Sequence, residues 1–213
     1  MALLVAGGAA ILFTGGGDEI LEALPGVEPS RPTPEFAFEV KKVVPETTTS
    51  TLPRDVAKDA EAIADDVRST LDALYVGGFV DPDAWGDFGA IEGLFDGAAR
   101  SQAEGDLDTL TLGAGAGDAY DFVQPEGGVL VIDVLTDAKD APVLALAEVK
   151  FVATAEGTDG SFTQVRSAGT FFLRRDGRDW TITSYRVDRS DRPTEAPTSA
   201  SPSPAAADDG SAP

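Results

Sequence analysis

The sequence predicts an α+β domain in which N-terminal helices pack in the concave face of a curved antiparallel sheet of four or more strands. Two observations lead to this class. From residue 53 apolar residues recur at helical spacing, whereas from Val129 onward they fall in long β-rich runs. Short turn sequences separate those runs, so consecutive strands are expected to pair as an antiparallel meander beside the helices.

The first folded element is predicted to be a helix that begins at Pro53, a residue suited to a first helical turn, with Thr51 as its cap. The glycine pair Gly77-Gly78 is expected to end it. Its apolar stripe comprises Val56, Ala60, Ile63, Val67, Leu71 and Leu74. A shorter helix is predicted next, with Ile91, Leu94, Phe95, Ala98 and Ala99 facing inward.

Four strands are predicted in the C-terminal half, over residues 129–135, 143–156, 161–175 and 178–187. The dipeptide Asp176-Gly177 is typical of a two-residue type I′ hairpin turn between the last two strands. That turn would place Leu173 opposite Trp180 and Phe171 opposite Ile182. These four side chains would then share one face of the sheet, which we interpret as the core face.

The composition excludes several functional classes. The 213 residues carry 16 basic and 37 acidic side chains, a formal net charge of −21, so phosphate backbones are repelled and nucleic acid is not expected as a partner. There is no cysteine and no histidine. Disulfides, thiolate nucleophiles, the usual zinc sites and Ser-His-Asp arrangements are therefore excluded, and neither a metal site nor a cofactor is predicted.

The apolar segment at the N-terminus, "ALLVAGGAAILFTGGG", has three interpretations: a signal peptide, a membrane span or a buried strand. A signal peptide normally has a basic region before it, and a complete span needs about 20 apolar residues. A start of the natural chain further upstream would explain both the missing bases and the short run. We predict a single-pass anchor within residues 1–24, with the folded domain outside the cytoplasm.

Composition divides the remaining chain into three parts. Residues 25–52 are rich in proline and threonine and are predicted to be a linker, in which "FAFEV" (Phe36 to Val40) is a short apolar exception that could dock on the domain. Residues 53–190 are predicted to be the folded domain. Residues 191–213 are rich in proline, serine and alanine and are predicted to be a disordered tail.

The order of helices followed by a meander, closed by the hairpin "GTFFLRRDGRDWTITSYRV", resembles the nuclear transport factor 2-like superfamily. The apolar segment, linker and domain together resemble its membrane-anchored branch, of which mammalian-cell-entry-associated proteins are an example. The resemblance implies a cone that often encloses a pocket. In the polyketide-cyclase-like and ketosteroid-isomerase-like members, an acid in that pocket acts as a base.

Asp133, the acid within "VLVIDVL", is the one candidate for such a base. If it faces the interior of the cone, it is a candidate general base; the alternative is a solvated position on the open face or near the strand end. Four aromatic side chains are candidates for a ligand pocket, or else for closing the core: Tyr75, Tyr120, Trp180 and Tyr185.

The sequence therefore favours a membrane-anchored, extracytoplasmic accessory or binding module of the cell envelope without catalytic activity. Its expected partner is a protein or a lipid-like molecule, and a homodimer through the sheet is a further expectation. The alternative is a small-molecule enzyme of the polyketide-cyclase or isomerase type that uses a buried aspartate as general base.

Overall fold

The computed structural model describes residues 31–46, 54–136, 141–177 and 179–196. Contacts divide the chain into two units, Met1–Arg31 and Pro32–Pro213, and the fold described below is that of the second. The predicted anchor, residues 1–24, lies outside the described residues, as does the predicted tail beyond residue 196.

The predicted α+β class is confirmed: one five-stranded sheet combines with a group of helices that lie between the first two strands in sequence. The helices are α1 (Arg54–Tyr75), α2 (Gly97–Gly105), α3 (Leu107–Leu110) and α4 (Ala116–Ala119), with a π-helical turn at Val76–Val80 and 3-10 turns at Pro82–Ala84, Phe88–Ala90 and Glu92–Leu94. The strands are β1 (Glu39–Glu46), β2 (Tyr120–Thr136), β3 (Pro142–Gly157), β4 (Phe162–Asp176) and β5 (Asp179–Thr194).

The strands lie in sequence order across the sheet, β1-β2-β3-β4-β5. The last four form the predicted antiparallel meander, whereas β1 pairs with β2 in parallel. Helix α1 contacts β1, β2, β3 and β5, and so covers one face of the sheet. We call this the inner face and the opposite side, which no described helix covers, the outer face.

Strand β1 lies within the segment predicted to be a linker. Its residues pair with the end of β2, from Glu39 opposite Val129 to Glu46 opposite Leu135. The segment does dock through "FAFEV", since Phe38 is buried with 2% of its surface exposed. The prediction of a linker over residues 25–52 therefore does not hold for 39–46, because a parallel partner some 90 residues away in sequence supplies the hydrogen bonds that local composition does not reveal.

The helical prediction agrees with the structure. In α1, Ala60, Ile63, Val67, Leu71 and Leu74 are all buried, as the spacing of the stripe requires. The helix ends at Tyr75, and the glycine pair falls in the π-helical turn that follows. The shorter helix, α2, begins only at Gly97, because residues 88–95 form 3-10 turns instead.

The last hairpin has a different register from the predicted one. Leu173 pairs with Ile182 rather than with Trp180, and the strands close at Asp176 and Asp179 around Gly177, whose φ is +64°. Leu173 pairs two residues further along β5 than predicted, which preserves the face, whereas Phe171 pairs with Tyr185, three residues beyond Ile182, across an irregularity between Phe172 and Leu173. Leu173, Phe171, Trp180 and Ile182 are accordingly all buried, and the predicted core face is confirmed.

Strand β5 also extends beyond the predicted end of the domain at residue 190. Residues 191–194 of the predicted tail pair with the start of β4, up to Thr194 opposite Phe162. Pro193 is tolerated there because β5 is an edge strand, where one side of the backbone needs no hydrogen-bond donor for a ladder.

Aromatic rings fill the space between α1, β1 and the inner face of the sheet. Phe36 contacts Phe38 edge-on at 4.9 Å between ring centroids, and Phe38 in turn contacts Tyr75 at 5.0 Å. Tyr75 also lies 5.1 Å from Phe151 on β3 and 5.3 Å from Phe79. We call these five residues the ring cluster; edge-on and tilted pairs of this kind add to the free energy gained from apolar burial.

A polar contact fixes the entry into β1. The carboxylate of Asp72 on α1 accepts a hydrogen bond of 2.8 Å from the backbone N–H of Phe38. Burial raises the pKa of Asp72, although this hydrogen bond and the nearby Arg68 guanidinium act in the opposite direction. The bond thus satisfies a backbone donor that precedes β1 and ties the strand to α1.

The localisation predicted from the sequence is corrected. In the portion of the chain that the structure describes, no helix combines the length and apolar character needed to cross a bilayer. The prediction of a single-pass membrane protein with an extracytoplasmic domain is accordingly wrong for the structure as described.

Two adjacent glycines give a matched test of the ring cluster. A Cβ added at Gly128 would lie 2.6 Å from the ring of Phe38 and 2.7 Å from that of Phe36, whereas one added at Gly127 would meet nothing within 4 Å. We expect Gly128→Ala to lower the free energy of unfolding by about 1–3 kcal/mol through overpacking. Gly127→Ala should change it by less than about 0.5 kcal/mol.

Urea denaturation of both variants, followed by tryptophan fluorescence, measures the difference. Equal midpoints for Gly127→Ala and Gly128→Ala would show that Phe36 and Phe38 do not pack against Gly128.

Candidate functional site

Asp133 lies on the outer face of the sheet. Its neighbours along β2, Ile132 and Val134, are buried at 0% and 1% exposure and belong to the core. Because successive strand residues point to opposite faces, the Asp133 side chain points away from the helices. Asp133 pairs with Leu146 on β3 and with Val44 on β1, and it is half-buried. The structure thus selects the open face over the interior of the cone.

Asp133 is one of six residues that line a cavity of about 330 Å³. Its walls are otherwise apolar: Leu135, Leu144, Ala145, Leu146 and Phe172. We call this cavity the outer pocket. Leu144 and Phe172 are 41% and 44% exposed, so the pocket lies within an apolar patch that water can reach.

The apolar residues that line the outer pocket were not predicted from the sequence. Leu144 pairs with Leu135, and Leu146 pairs with both Asp133 and Phe172, so these side chains meet on one face across three strands. The alternation within each strand contains this signal, but it becomes readable only when the register between strands is known.

Tyr75 is part of the core rather than of a pocket. It is 1% exposed, and its hydroxyl forms a hydrogen bond of 2.9 Å with the hydroxyl of Ser167, itself 1% exposed. Burial raises the pKa of Tyr75 far above its ordinary value, and the hydrogen bond with Ser167 offsets only part of that effect. The hydroxyls of Tyr75 and Ser167 thus each have a hydrogen-bond partner although both are buried.

Tyr185 lies elsewhere on the inner face. Its hydroxyl donates a hydrogen bond of 2.9 Å to the carboxylate of Asp106, and its ring lies 6.1 Å from that of Phe171. Burial raises the pKa of Tyr185, and the hydrogen bond to the Asp106 carboxylate and the negative charge of that group raise it further. The pair ties β5 to the loop between α2 and α3.

The other two aromatic candidates also lie away from Asp133. Trp180 is 4% exposed on the inner face, and its indole N–H has no hydrogen-bond partner among the described residues. Tyr120 is half-buried at the start of β2, opposite Gly157. None of Tyr75, Tyr120, Trp180 and Tyr185 lines the outer pocket.

A second cavity, of about 380 Å³, lies beside Arg189, but its cation is already fully engaged. The Arg189 guanidinium donates to the backbone carbonyls of Asp108 and Thr111 and to the carboxylate of Asp191. This arginine therefore holds the end of α3 against β5.

Among the described residues, no group of three or more His, Cys, Asp or Glu side chains is arranged to hold a metal ion. Asp133 is the one acidic residue that lines the outer pocket, and the other lining residues are apolar.

No protein-family model and no curated protein matches the chain. Among solved structures, hexachlorocyclohexane dehydrochlorinase (LinA, type 2) matches with a TM-score of 0.44 and 10% identity, over 70% of this chain and 99% of that one. A protein assigned as an aromatic ring hydroxylase from Novosphingobium aromaticivorans matches with a TM-score of 0.37 and 14% identity, over 68% and 96%.

Both of these proteins are members of the nuclear transport factor 2-like fold, and neither is a mammalian-cell-entry-associated protein. The main function predicted from the sequence, a membrane-anchored module without catalytic activity, is corrected: no helix among the described residues is long and apolar enough to cross a membrane. At TM-scores below 0.5 and identities of 10% and 14%, these similarities say nothing about which reaction this chain performs.

The two buried hydroxyls give a prediction for alkaline pH. The sequence has three tyrosines, and the raised pKa values of Tyr75 and Tyr185 keep these two protonated in the folded protein as the pH passes 10.0. The unfolded chain releases the same protons near pH 10, so the stability that they confer is present below this pH and is lost as the pH rises above it.

Near-ultraviolet titration should therefore show fewer than three tyrosinates at pH 10.5–11 (roughly one unit above the ordinary value) while circular dichroism still reports a folded chain. The urea-unfolded protein, as the control, should show all three. Complete ionisation without loss of structure would contradict the burial of these hydroxyls.

Proposed function

We propose that this protein acts on a small, mainly apolar molecule bound in the outer pocket, with Asp133 as the general base that removes a proton from it. One observation carries the proposal: the carboxylate of Asp133 is the one ionisable group in a cavity whose other walls are aliphatic or aromatic. A pocket of about 330 Å³ is at the small end of ligand sites in general, which limits the substrate to a compact molecule.

The residue types present in the chain limit which side chains can act as a general base. Without histidine or cysteine, proton transfer at neutral pH depends on carboxylates. A carboxylate held among apolar side chains faces less competition from water once a ligand fills the pocket, and its interaction with the departing proton is then less screened. Because Asp133 is half-exposed, the proton that it takes up can pass to solvent and restore the base for the next turnover.

The walls account for binding. The ring of Phe172 and the side chains of Leu135, Leu144 and Leu146 offer an apolar surface on which a planar or branched hydrocarbon portion can lie. Burying such a portion provides the binding free energy, whereas Asp133 acts as the general base. The proposal retains the enzyme alternative of the sequence analysis but places the acid on the outer face rather than within the cone.

The reaction can be tested with 5-nitrobenzisoxazole, a neutral aromatic probe. A carboxylate takes the proton from carbon 3, the N–O bond breaks, and a coloured cyanonitrophenolate is released while the proton passes to water. Asp133→Asn should lower kcat/KM by roughly tenfold or more; a positioned base gives about 10²–10⁴-fold with its own substrate. The control is Asp121→Asn, which removes an exposed charge about 40 Å away along β2 and should leave the rate unchanged.

A second variant separates binding from chemistry. Phe172→Ala removes an exposed ring from the pocket wall and should raise KM with a smaller effect on kcat, since Asp133 remains in place. Equal rates for the wild type and Asp133→Asn would overturn the proposal.

The oligomeric state must be measured at the assay concentration. The homodimer through the sheet that the sequence suggests would use the same outer face, where Leu135, Leu144 and Phe172 are exposed. Light scattering that shows a dimer, together with a rate that rises on dilution to the monomer, would indicate that this patch is an interface and that the pocket is closed in the assembled form.

A further inference from the structure

A separate groove of about 560 Å³ lies on the outer face, toward the opposite end of the sheet from the outer pocket. Lys150 on β3 and Arg166 on β4 line it, with Val129 and Val152 beside them. Lys150 pairs with Val129, four residues before Asp133 on β2, so the two sites are about 13 Å apart along the strand.

A chain of side-chain hydrogen bonds orients Arg166. Thr154 donates to one oxygen of the Glu126 carboxylate, and Gln164 donates to the other at 3.4 Å. The side-chain carbonyl of Gln164 accepts a bond of 2.9 Å from Nε of Arg166. The guanidinium is thus fixed through Nε, and its two terminal nitrogens keep their donors for a ligand.

Neither cation is neutralised by a side chain that the structure describes. Lys150 makes no ion pair within the described ranges, and the same holds for Arg166. Both carboxylates at the groove have other partners: Glu126 accepts from Thr154 and Gln164, and Glu39 pairs with Lys41.

The pairing of the strands brings the two cations together. Val152 is opposite Arg166 and Lys150 is opposite Ala168, so Lys150 and Arg166 are diagonal neighbours on one face, about 7–8 Å apart at their backbones. Like charges at this separation repel each other, and an anion bound between them relieves the repulsion. The arrangement therefore suits a single anionic group.

Beside the cations the groove is open and apolar. Gly127 pairs with Val152, and a Cβ added at Gly127 would meet nothing within 4 Å, so the floor here is bare backbone. A flat apolar portion of a ligand can lie across Gly127 and against Val129 and Val152. A residue with a larger side chain at position 127 would occupy that space.

We propose that this groove binds a small organic acid, with its carboxylate or sulfonate between Lys150 and Arg166 and its apolar portion over Gly127. The fork of donors on Arg166 matches the paired oxygens of such a group, and Lys150 adds a second charge. A highly charged anion such as inorganic phosphate is disfavoured, because the glutamates at the groove and the net charge of the chain repel it.

The test uses 1-anilinonaphthalene-8-sulfonate, an aromatic sulfonate whose fluorescence rises on binding, with the full chain at low salt. Lys150→Gln and Arg166→Gln should each weaken its binding by roughly tenfold, the loss of one charge-assisted hydrogen bond. Arg175→Gln is the matched control, since it removes the same charge from an exposed position at the far end of β4 and should leave the affinity unchanged.

Two further measurements identify the ligand class and the site. Gly127→Val keeps the charge and should weaken binding by filling the groove, whereas Phe172→Ala, in the outer pocket, should not alter it. Benzoate should displace the dye and inorganic phosphate at the same concentration should not. Three results would overturn the assignment. In the first, Arg175→Gln weakens dye binding as much as Arg166→Gln does. In the others, only Phe172→Ala weakens it, or phosphate displaces the dye as effectively as benzoate.

Discussion

The sheet has long strands, and the fold depends on covering its inner face. The ring cluster provides that cover. Tyr75 at the end of α1 contacts rings from three other segments: Phe38 before β1, Phe79 in the π-helical turn and Phe151 on β3. Each of these rings is at most 2% exposed. Because protein interiors are as densely packed as organic crystals, rings that meet in this way fix the positions of the segments that carry them.

Filling the interior has a consequence for function. The aromatic residues that would line a pocket inside a cone instead contact one another or satisfy their hydroxyls on Ser167 and Asp106. The outer pocket and the groove beside Lys150, in contrast, lie on the outer face, which no described helix covers. There the alternation of the strands presents Asp133, Phe172, Lys150 and Arg166 to solvent, and the pairing of the strands groups them into two sites of different character.

The charges of the domain fall into two kinds. Several of the cations in the last hairpin bind the chain itself: Arg174 pairs with Asp96 at 2.5 Å, and Arg189 binds two backbone carbonyls and Asp191. Such contacts tie the helical layer to β4 and β5. Lys150 and Arg166 differ from these, because neither makes an ion pair within the described ranges.

The sequence by itself determined what depends on local pattern: the helical stripe of α1, the four antiparallel strands, and the core face that includes Phe171, Leu173, Trp180 and Ile182. The tertiary structure decided what depends on distant partners. Strand β1 forms because the end of β2 and the bare surface at Gly128 accept it, and no feature within the Pro-rich segment reveals either. The same is true of the sites. The alternation along β2 shows that Asp133 lies on the other face of the sheet from Ile132 and Val134. It does not show which face the helices cover or which side chains of neighbouring strands lie beside Asp133. These depend on contacts between residues far apart in sequence.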